Sequence, residues 1–223
     1  MRIAIIFAME KELDLFAKQI TQIRTQKHNH LTLYLGQYKN LELCLSVSGM
    51  GKVNATLCFA NLVQTFKPDL VINIGVSGGL DSSLKVGDIV VATELVYHDV
   101  WCGEPCKLGQ IQNLPPRYTT THTDLLFQYP QGLLISGDWF MTEPEKLNAV
   151  KKEFPEALAV DMESGAIAQC CYLYQIPLMV IRQISDVVGS ENEQAVYNAF
   201  WQNASEQSTA LLDELLDKLN SLS

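Results

Sequence analysis

Acidic residues follow the carboxyl ends of several predicted strands, and their spacing suggests acid–base chemistry. Glu12 follows the first strand, whereas Asp161 and Glu163 follow a later strand in the segment AVDMESGAIAQ. Asp186 follows the last strand, in the segment LMVIRQISD. Ligands of open α/β sheets bind outside the carboxyl ends of the strands. Two carboxyl groups at that edge could divide the work of a hydrolase, one protonating a leaving group and the other activating water.

Each of these acids also has a structural interpretation. Glu12 lies in the first turn of a predicted helix, where the helix dipole favours a carboxylate. Asp161 is typical of a helix N-cap, and Asp186 of a turn. Glu163 has the weakest structural explanation, so we predict a structural Asp161 and a functional Glu163. Arg182 lies within an apolar strand and requires an anionic partner, for which a site acid is the economical candidate.

Two glycine-rich segments do not match nucleotide-binding motifs. In NIGVSGGL, the spacing of Gly75, Gly78 and Gly79 differs from the dinucleotide pattern G-x-G-x-x-G. The segment SVSGMGKV has Ser46 where a Walker A loop requires glycine, and Val53 follows the lysine where serine or threonine is required. The sequence therefore supports neither a dinucleotide nor a nucleoside triphosphate, although the glycines allow a ligand to approach the backbone closely.

Charge and composition exclude several classes of partner. The chain has 16 Lys and Arg against 25 Asp and Glu, a formal charge of −9, and 48% hydrophobic residues. No basic cluster is present to bind nucleic acid or an anionic membrane. The first apolar run is short and is followed by acids, which indicates a strand and not a signal peptide. We predict a soluble, cytoplasmic protein without a membrane span.

The six cysteines indicate free thiols. Cys170 and Cys171 are adjacent, and the other four do not resemble a disulfide framework. Cys102 and Cys106 lie near His98, but a fourth zinc ligand and a matching pair are missing. We predict no metal.

Strands alternate with helices along most of the chain. This pattern predicts a single α/β domain over residues 1–223, with a mixed, largely parallel central sheet flanked by helices. Residues 98–132 are irregular and proline-rich, which is typical of a lid or an interface but also of a surface excursion without a role. The predicted strands are 2–7, 31–36, 41–46, 70–74, 88–97, 133–136, 157–160 and 178–184, and the predicted helices are 11–20, 52–66, 144–153, 164–174 and about 193–219.

An ordered set of motifs makes the family recognisable. They are AIIFAMEKE, VSGMGKVNA, NIGVSGGL, KVGDIVVA, YHD, ISGDWF, AVDMESGAIAQ and IRQISD. Together they resemble the 5′-methylthioadenosine/S-adenosylhomocysteine nucleosidases of the nucleoside phosphorylase superfamily. The resemblance runs from residue 1 to about residue 200 without large gaps, and the ordered set is far more specific than any one motif.

The resemblance implies a cofactor-free hydrolysis of the bond between adenine and a 5′-thio-substituted ribose. It implies that Glu12 activates water, that Asp186 protonates adenine N7 and that Glu163 holds the ribose hydroxyls. The other implied site residues are Met162 beside the sugar, Met9 and Met50 at the sugar or thioalkyl group, Phe140 and Met141 at the purine, Gly78 against the substrate, and Ser185 and Arg182 supporting Asp186 and the water.

The chain departs from the family pattern at two places. Val76 stands where relatives often have a hydroxyl residue, so any side-chain contact with water there would fall to Ser77. Residues 100–116 match the family poorly, although this region in relatives closes the 5′ pocket across a dimer interface. The resemblance therefore implies a homodimer but leaves the preferred 5′ substituent open.

Other functions remain as alternatives. A futalosine hydrolase would require a cation or donor for its carboxyaryl tail, whereas Met9 and Met50 suit a thioether. A phosphorylase would require cations near the first strand, which instead leads into Glu10 and Glu12. A non-catalytic nucleoside sensor is disfavoured by the complete set of acids. The sequence does not rank methylthioadenosine, S-adenosylhomocysteine and 5′-deoxyadenosine as substrates.

Overall fold

A twisted sheet is the central feature of the computed structural model, which describes residues 1–17, 20–189, 193–203 and 206–222. Apolar β-branched residues dominate its inner strands, as strands buried on both faces require. The strands are β1 (Arg2–Phe7), β2 (Thr21–His28), β3 (Leu31–Tyr38), β4 (Leu41–Val47), β5 (Leu70–Gly79), β6 (Ile89–Tyr97), β7 (Tyr118–Thr119), β8 (Gln131–Ser136), β9 (Ala157–Asp161) and β10 (Leu178–Val187).

Part of the sheet closes on itself. Strand β5 pairs with both β9 and β10, so that β5, β9, β8, β6 and β10 form a ring, while β1, β4, β3 and β2 extend from β5 as an open sheet. Parallel pairs join β4 to β1, β1 to β5, β5 to β10, β6 to β8 and β8 to β9. Antiparallel pairs join β2 to β3, β3 to β4, β5 to β9, and β6 to both β7 and β10. The predicted α/β class with a mixed sheet is confirmed, and the closure was not predicted.

Helices cover both faces of the sheet. They are α1 (Glu10–Phe16), α2 (Lys52–Phe66), α3 (Pro144–Glu153), α4 (Ser164–Tyr174), α5 (Glu193–Asn203) and α6 (Glu206–Asn220). The bounds predicted for α2, α3 and α4 are confirmed. The first helix ends at Phe16, earlier than predicted. The single long helix predicted near the carboxyl end is described as α5 and α6, with residues 204–205 between them outside the described residues.

The core has two sides because the side chains of β1 alternate. Ala4 and Ile6 pack in the cluster that contains residues of α2 and α4, whereas Ile3 and Ile5 pack in the cluster that contains residues of α6. The apolar stripe of α6 is buried in that second cluster, as its helical spacing requires. The stripe consists of Leu211, Leu212, Leu215, Leu216 and Leu219.

The strands that carry the site are longer than predicted. β5 continues through the glycine-rich segment to Gly79, because Gly75 to Gly79 pair with Arg182 to Val187 of β10. Glycine is required where other side chains press on this backbone. A Cβ at Gly75 would lie 2.4 Å from Glu12 Oε1, and one at Gly78 would lie 2.5 Å from Val188 Cγ2. The absence of a side chain at Gly75 leaves room for the Glu12 carboxylate, which accepts a hydrogen bond from the neighbouring Val76 N–H.

Two strands were missed for recognisable reasons. β2 is a polar edge strand, TQIRTQKH, without apolar alternation, and it forms by pairing with β3. β7 has two residues inside the irregular segment 98–132, which also contains a 3-10 turn, Thr123–Leu126. The predicted strands at 31–36 and 41–46 form an antiparallel hairpin, β3 and β4, with Lys39 at a φ of 51° in its turn. Among the described residues, no helix is long and apolar enough to cross a membrane.

Candidate active site

One cleft collects the ends of β1, β5, β9 and β10, together with the loop after β8 and a residue of α5. It encloses about 630 Å³ of space, including the part open to solvent, which suits a small organic ligand. Eleven of the twelve predicted site residues line it: Met9, Glu12, Met50, Ser77, Gly78, Phe140, Met141, Met162, Glu163, Ser185 and Asp186. Arg182 lies behind the cleft and not on its surface.

Glu12 is a buried carboxylate held by backbone N–H groups. Its Oε2 accepts hydrogen bonds from Ala8 N at 2.8 Å and Met9 N at 2.9 Å, and its Oε1 accepts one from Val76 N at 2.9 Å. Burial raises the pKa of Glu12 above its usual value, against the opposing effect of these donors and of the Arg182 charge. A fixed carboxyl group with a raised pKa is suited to accept a proton from water near neutral pH.

Val76 contributes to the site through its backbone. The side chain offers no hydroxyl, but the Val76 N–H binds Glu12 as described above. The neighbouring Ser77 hydroxyl oxygen is buried and has no hydrogen-bond partner among the described residues. Ser77 is thus available to a ligand in the cleft, consistent with its predicted compensating role.

Glu163 lies where β9 leads into α4. Its Oε1 accepts a hydrogen bond from Gly51 N at 2.7 Å. Burial, reinforced by the nearby charge of Asp161, raises the pKa of Glu163 to about 7. Two donors that approach this carboxylate, such as a pair of ribose hydroxyls, would stabilise its charged form.

Asp186 is positioned by its neighbour in β10. The Ser185 hydroxyl donates a hydrogen bond to Asp186 Oδ1 at 2.6 Å and lies 3.2 Å from the Ser77 carbonyl oxygen. A Cβ at Gly78 would come within 3.3 Å of Asp186 Oδ2, so glycine there leaves room beside the carboxyl group. The hydrogen bond from Ser185 agrees with the prediction that Ser185 positions Asp186.

The predicted support of Asp186 by Arg182 requires correction. The guanidinium of Arg182 contacts Asp161 Oδ2 at 2.9 Å through Nε and at 2.7 Å through one terminal nitrogen. Its other hydrogen bonds go to the Asn73 carbonyl oxygen, the Asn73 side chain and the Ile181 carbonyl oxygen. Arg182 therefore neutralises Asp161, and its charge lowers the pKa values of Glu12 and Glu163 from a distance.

Asp161 combines two structural roles. Its Oδ1 accepts hydrogen bonds from Glu163 N at 3.3 Å and Ser164 N at 3.1 Å, at the start of α4. Its Oδ2 binds the buried Arg182. The predicted helix-capping role agrees with this arrangement, and the ion pair explains how a second acid is tolerated beside Glu163.

The mouth of the cleft is aromatic and apolar. Phe140 and Trp139 follow β8, and both are largely exposed. The ring of Phe140 lies edge-to-face with Tyr197 at 6.1 Å, and the Tyr197 hydroxyl lies 3.9 Å from the sulfur of Met9. Stacking surfaces and a polarizable sulfur at one end of a cleft suit a purine and a thioether.

Sequence reasoning missed some residues that line the cleft. Trp139 lies within the motif ISGDWF, directly before the predicted site residue Phe140, so the motif could have identified it. Tyr197 lies on α5, remote from any recognised motif, and no local signal identifies it. The other missed lining residues are Ala8, Val160 and Val188.

The described residues of the cleft are poorly suited to bind a metal ion or an anionic cofactor. Within the described part of the chain, no group of three or more His, Cys, Asp and Glu side chains could hold a metal ion. None of the described residues that line the cleft is lysine or arginine. Phosphate recognition normally uses such cations or a helix amino end, so the cleft is better matched to a neutral ligand.

The chain is similar in sequence and in structure to known nucleosidases. The phosphorylase superfamily matches residues 2–217. The 5′-methylthioadenosine/S-adenosylhomocysteine nucleosidase of Staphylococcus carnosus (strain TM300) is 36% identical, over 97% of this chain and 100% of that protein. The Neisseria meningitidis nucleosidase in complex with methylthio-immucillin-A superposes with a TM-score of 0.90 at 32% identity, covering 97% of this chain and 99% of that one. The S. pneumoniae nucleosidase with the transition-state inhibitor MT-ImmA gives a TM-score of 0.92 at 31% identity, covering 98% and 100%.

Proposed function

Because the chain belongs to the 5′-methylthioadenosine/S-adenosylhomocysteine nucleosidases of the phosphorylase superfamily, we propose that residues 1–223 form one catalytic domain that hydrolyses the N-glycosidic bond of both nucleosides. The products are adenine and the 5′-thio-substituted ribose. The observation that carries this proposal is the meeting of Glu12, Glu163 and Asp186 around one cleft with an aromatic mouth.

Glu12 is proposed to activate the attacking water. In this step a water oxygen bonds to C1′ of the ribose while the bond from C1′ to the purine breaks, and the water proton passes to Glu12. The three backbone N–H donors fix the carboxylate in place before substrate arrives. Its raised pKa supports proton acceptance, because a base is most effective when its pKa lies near the working pH.

Asp186 is proposed to protonate the leaving adenine at N7. Negative charge develops on the purine as the bond to C1′ breaks, and a proton at N7 neutralises it. The Ser185 hydroxyl, which donates to Asp186 Oδ1, fixes the orientation of the carboxyl group. Gly78 allows the purine to approach this group closely.

Glu163 is proposed to hold the two ribose hydroxyls, with Met162 against the sugar. Phe140 provides the stacking surface for the purine, and the Met141 backbone binds its edge. Met9 and Met50 receive the sugar or the 5′ thioalkyl group. All of these residues line the cleft, which supports the assignments.

The absence of Lys and Arg from the described cleft lining favours water over phosphate as the attacking group. The same feature disfavours futalosine, whose 5′ substituent carries a carboxylate. No cofactor or metal is part of this mechanism.

We further propose a cytoplasmic homodimer. Exposed apolar side chains on α2, Val53 and Leu57, continue from Met50 at the mouth of the cleft. They border a predominantly apolar groove that also includes Val100 and Ile111. Both residues lie in segment 100–116, for which the family resemblance implies a dimer interface. Sedimentation equilibrium tests the assembly, and a Leu57→Asp variant that sediments as the wild type would contradict this surface.

A single assay tests the reaction. The protein is incubated with methylthioadenosine with and without phosphate, and the sugar product is identified by mass spectrometry. Free methylthioribose formed equally in both buffers is expected. Strict dependence on phosphate would instead identify a phosphorylase, and absence of adenine release in either buffer would reject the proposed activity.

A further inference from the structure

A closed network of hydrogen bonds joins the start of α2 to the loop after β8. Lys52 N donates to Asp138 Oδ1 at 2.8 Å, and Asp138 N donates to Asp99 Oδ2 at 2.8 Å. The Lys52 ammonium completes the network by donating hydrogen bonds to both carboxylate oxygens of Asp99, at 2.9 Å and 2.8 Å. The three residues come from three separate parts of the chain, so the network fixes those parts relative to one another.

One side of this network leads to Glu163, the carboxylate proposed to bind the ribose hydroxyls. Gly51 precedes α2 with a φ of 92°, and no side chain of its own segment caps the helix. Asp138 supplies the cap from another loop by accepting the Lys52 N–H. The adjacent Gly51 N–H donates to Glu163 at 2.7 Å. A displacement of Asp138 relative to α2 would therefore move the donor that holds Glu163.

The other side leads to the purine surface, the face of the cleft formed by Phe140, which is proposed to stack on the purine. Asp138 immediately precedes Trp139 and Phe140, and a Cβ at Gly137 would lie 2.6 Å from both the His98 ring and the Asp99 carboxyl carbon. The loop is thus pressed against the end of β6. The His98 ring also lies 5.5 Å from the Trp139 ring.

The network is partly buried and does not line the cleft. The side chains of Lys52 and Asp99 are 24% and 7% exposed, and neither lines the cleft. Limited exposure reduces screening by salt and water, so this pair holds its geometry better than a fully exposed ion pair.

We propose that Lys52, Asp99 and Asp138 are positioning residues that fix the separation between the ribose carboxylate Glu163 and the purine surface. This proposal rests on the proposed nucleosidase function, because it assigns the two ends of the network to two parts of one substrate. A nucleoside spans both parts, whereas free adenine occupies only the purine part. Loosening the network should therefore weaken catalysis on the nucleoside much more than adenine binding.

The test compares Lys52→Met with the wild-type protein. Methionine keeps the backbone N–H that binds Asp138 and removes only the ammonium group that binds Asp99. We expect kcat/KM for methylthioadenosine to fall about 10- to 100-fold, the loss that a displacement near 1 Å produces. The inhibition constant of adenine should change by less than about threefold, because Phe140 keeps its ring contact with Tyr197 and Trp139 keeps its ring contact with His98.

Two further variants control for a general effect on folding. Lys218→Met removes the Lys218–Glu214 ion pair on α6, which is more exposed (34% and 35%) and remote from the cleft, and should leave kcat/KM unchanged. Lys52→Arg keeps a cation that can bind Asp99 and should recover most of the lost activity. If Lys52→Met does not fold, Asp99→Asn weakens the same link while keeping an acceptor for the Asp138 N–H, and the same difference between nucleoside and adenine is expected.

The outcomes separate this inference from the function on which it rests. Failure of the wild-type protein to release adenine would overturn both. Wild-type turnover combined with unchanged kcat/KM in folded Lys52→Met, or with an equal loss of adenine affinity, would overturn the positioning role alone.

Discussion

The two sides of the cleft are built in opposite ways. The carboxylates Glu12, Asp186 and Glu163 are 2%, 4% and 6% exposed and are held by hydrogen bonds. The mouth residues Phe140 and Met50 are 54% and 62% exposed. The acids lie at strand ends whose backbone positions them, whereas the aromatic side is built from loop and helix residues that touch through ring edges and sulfur.

This difference separates proton transfer from recognition. A buried carboxylate requires compensating donors and a fixed geometry, so a small change on that side should cause a large loss of activity or stability. A half-exposed side chain contributes mainly contact area, so its loss should be tolerated better. The four predictions below test this contrast between the buried acids and the exposed mouth.

Preventing proton transfer at either proposed catalytic carboxyl group should have the largest effect. Glu12→Gln and Asp186→Asn should abolish measurable turnover of methylthioadenosine, a loss of at least about 10³-fold, while nucleoside binding persists. Adenine release measured by absorbance and nucleoside binding measured by calorimetry check this. Glu10→Gln, an exposed acid in the same helical turn, is the matched control and should retain wild-type kcat. Turnover by Asp186→Asn near the wild-type rate would refute its assignment as the acid.

The raised pKa of Glu163 should make stability depend on pH. Its pKa rises from 4.5 to about 7 on folding, so the folded state binds the extra proton between these values. The free energy of unfolding should therefore fall as pH rises through this window, by up to about 3 kcal/mol. Urea unfolding at pH 5 and pH 8 should show this decrease in the wild type and a smaller one in Glu163→Gln. Identical pH dependence in both proteins would contradict the assignment.

Gly75→Ala should damage the site without touching the substrate directly. The added Cβ would lie 2.4 Å from Glu12 Oε1 and displace the carboxylate. We expect kcat/KM to fall about 100-fold, because misplacement of a reacting group by about 1 Å has that effect. Gly103→Ala is the contrasting variant: it strains a backbone with a φ of 79° but meets nothing within 4 Å, so it should lower stability while sparing kcat/KM.

A change at the mouth should be the mildest. Phe140→Ala removes the proposed stacking surface, and adenine affinity should weaken about tenfold, since base stacking on an aromatic ring contributes about 1–3 kcal/mol. Competitive inhibition by adenine measures this effect. Phe127→Ala, at an exposed position remote from the cleft, provides the control. A loss in Phe140→Ala as large as that in Glu12→Gln would break the proposed separation of proton transfer from recognition.

Local sequence signals predicted much of the fold. The helices α2, α3 and α4 have the predicted bounds, because their composition and apolar spacing are encoded by neighbouring residues. The polar strand β2 was missed because its pairing with β3, and not its own composition, makes it a strand. The predicted strand 70–74 ended before the glycine-rich end of β5 for the same reason, since pairing with β10 extends it to Gly79.

The sequence also located most of the candidate site but not its connections. Placing acids at strand exits was sufficient to bring Glu12 and Asp186 to one edge, since β1, β5 and β10 are parallel and their carboxyl ends share an edge. Glu163 reaches the same cleft because β9 pairs with the end of β5 in the antiparallel direction, which the sequence did not predict. It gave no means of choosing among acids for Arg182, which pairs with Asp161. Tyr197 was missed because a helix remote in the chain brings it to the cleft.

The sequence by itself determined which chemical groups are available, which helices and most strands form, and the family to which the chain belongs. Only the tertiary structure decided that β5 closes the ring with β9 and β10, that Asp161 neutralises Arg182, and that Lys52 reaches Asp99. The physical reason is that local structure depends on neighbours along the chain. The pairing and pKa of a buried charge depend instead on strand register and desolvation, which exist only once distant segments have packed together.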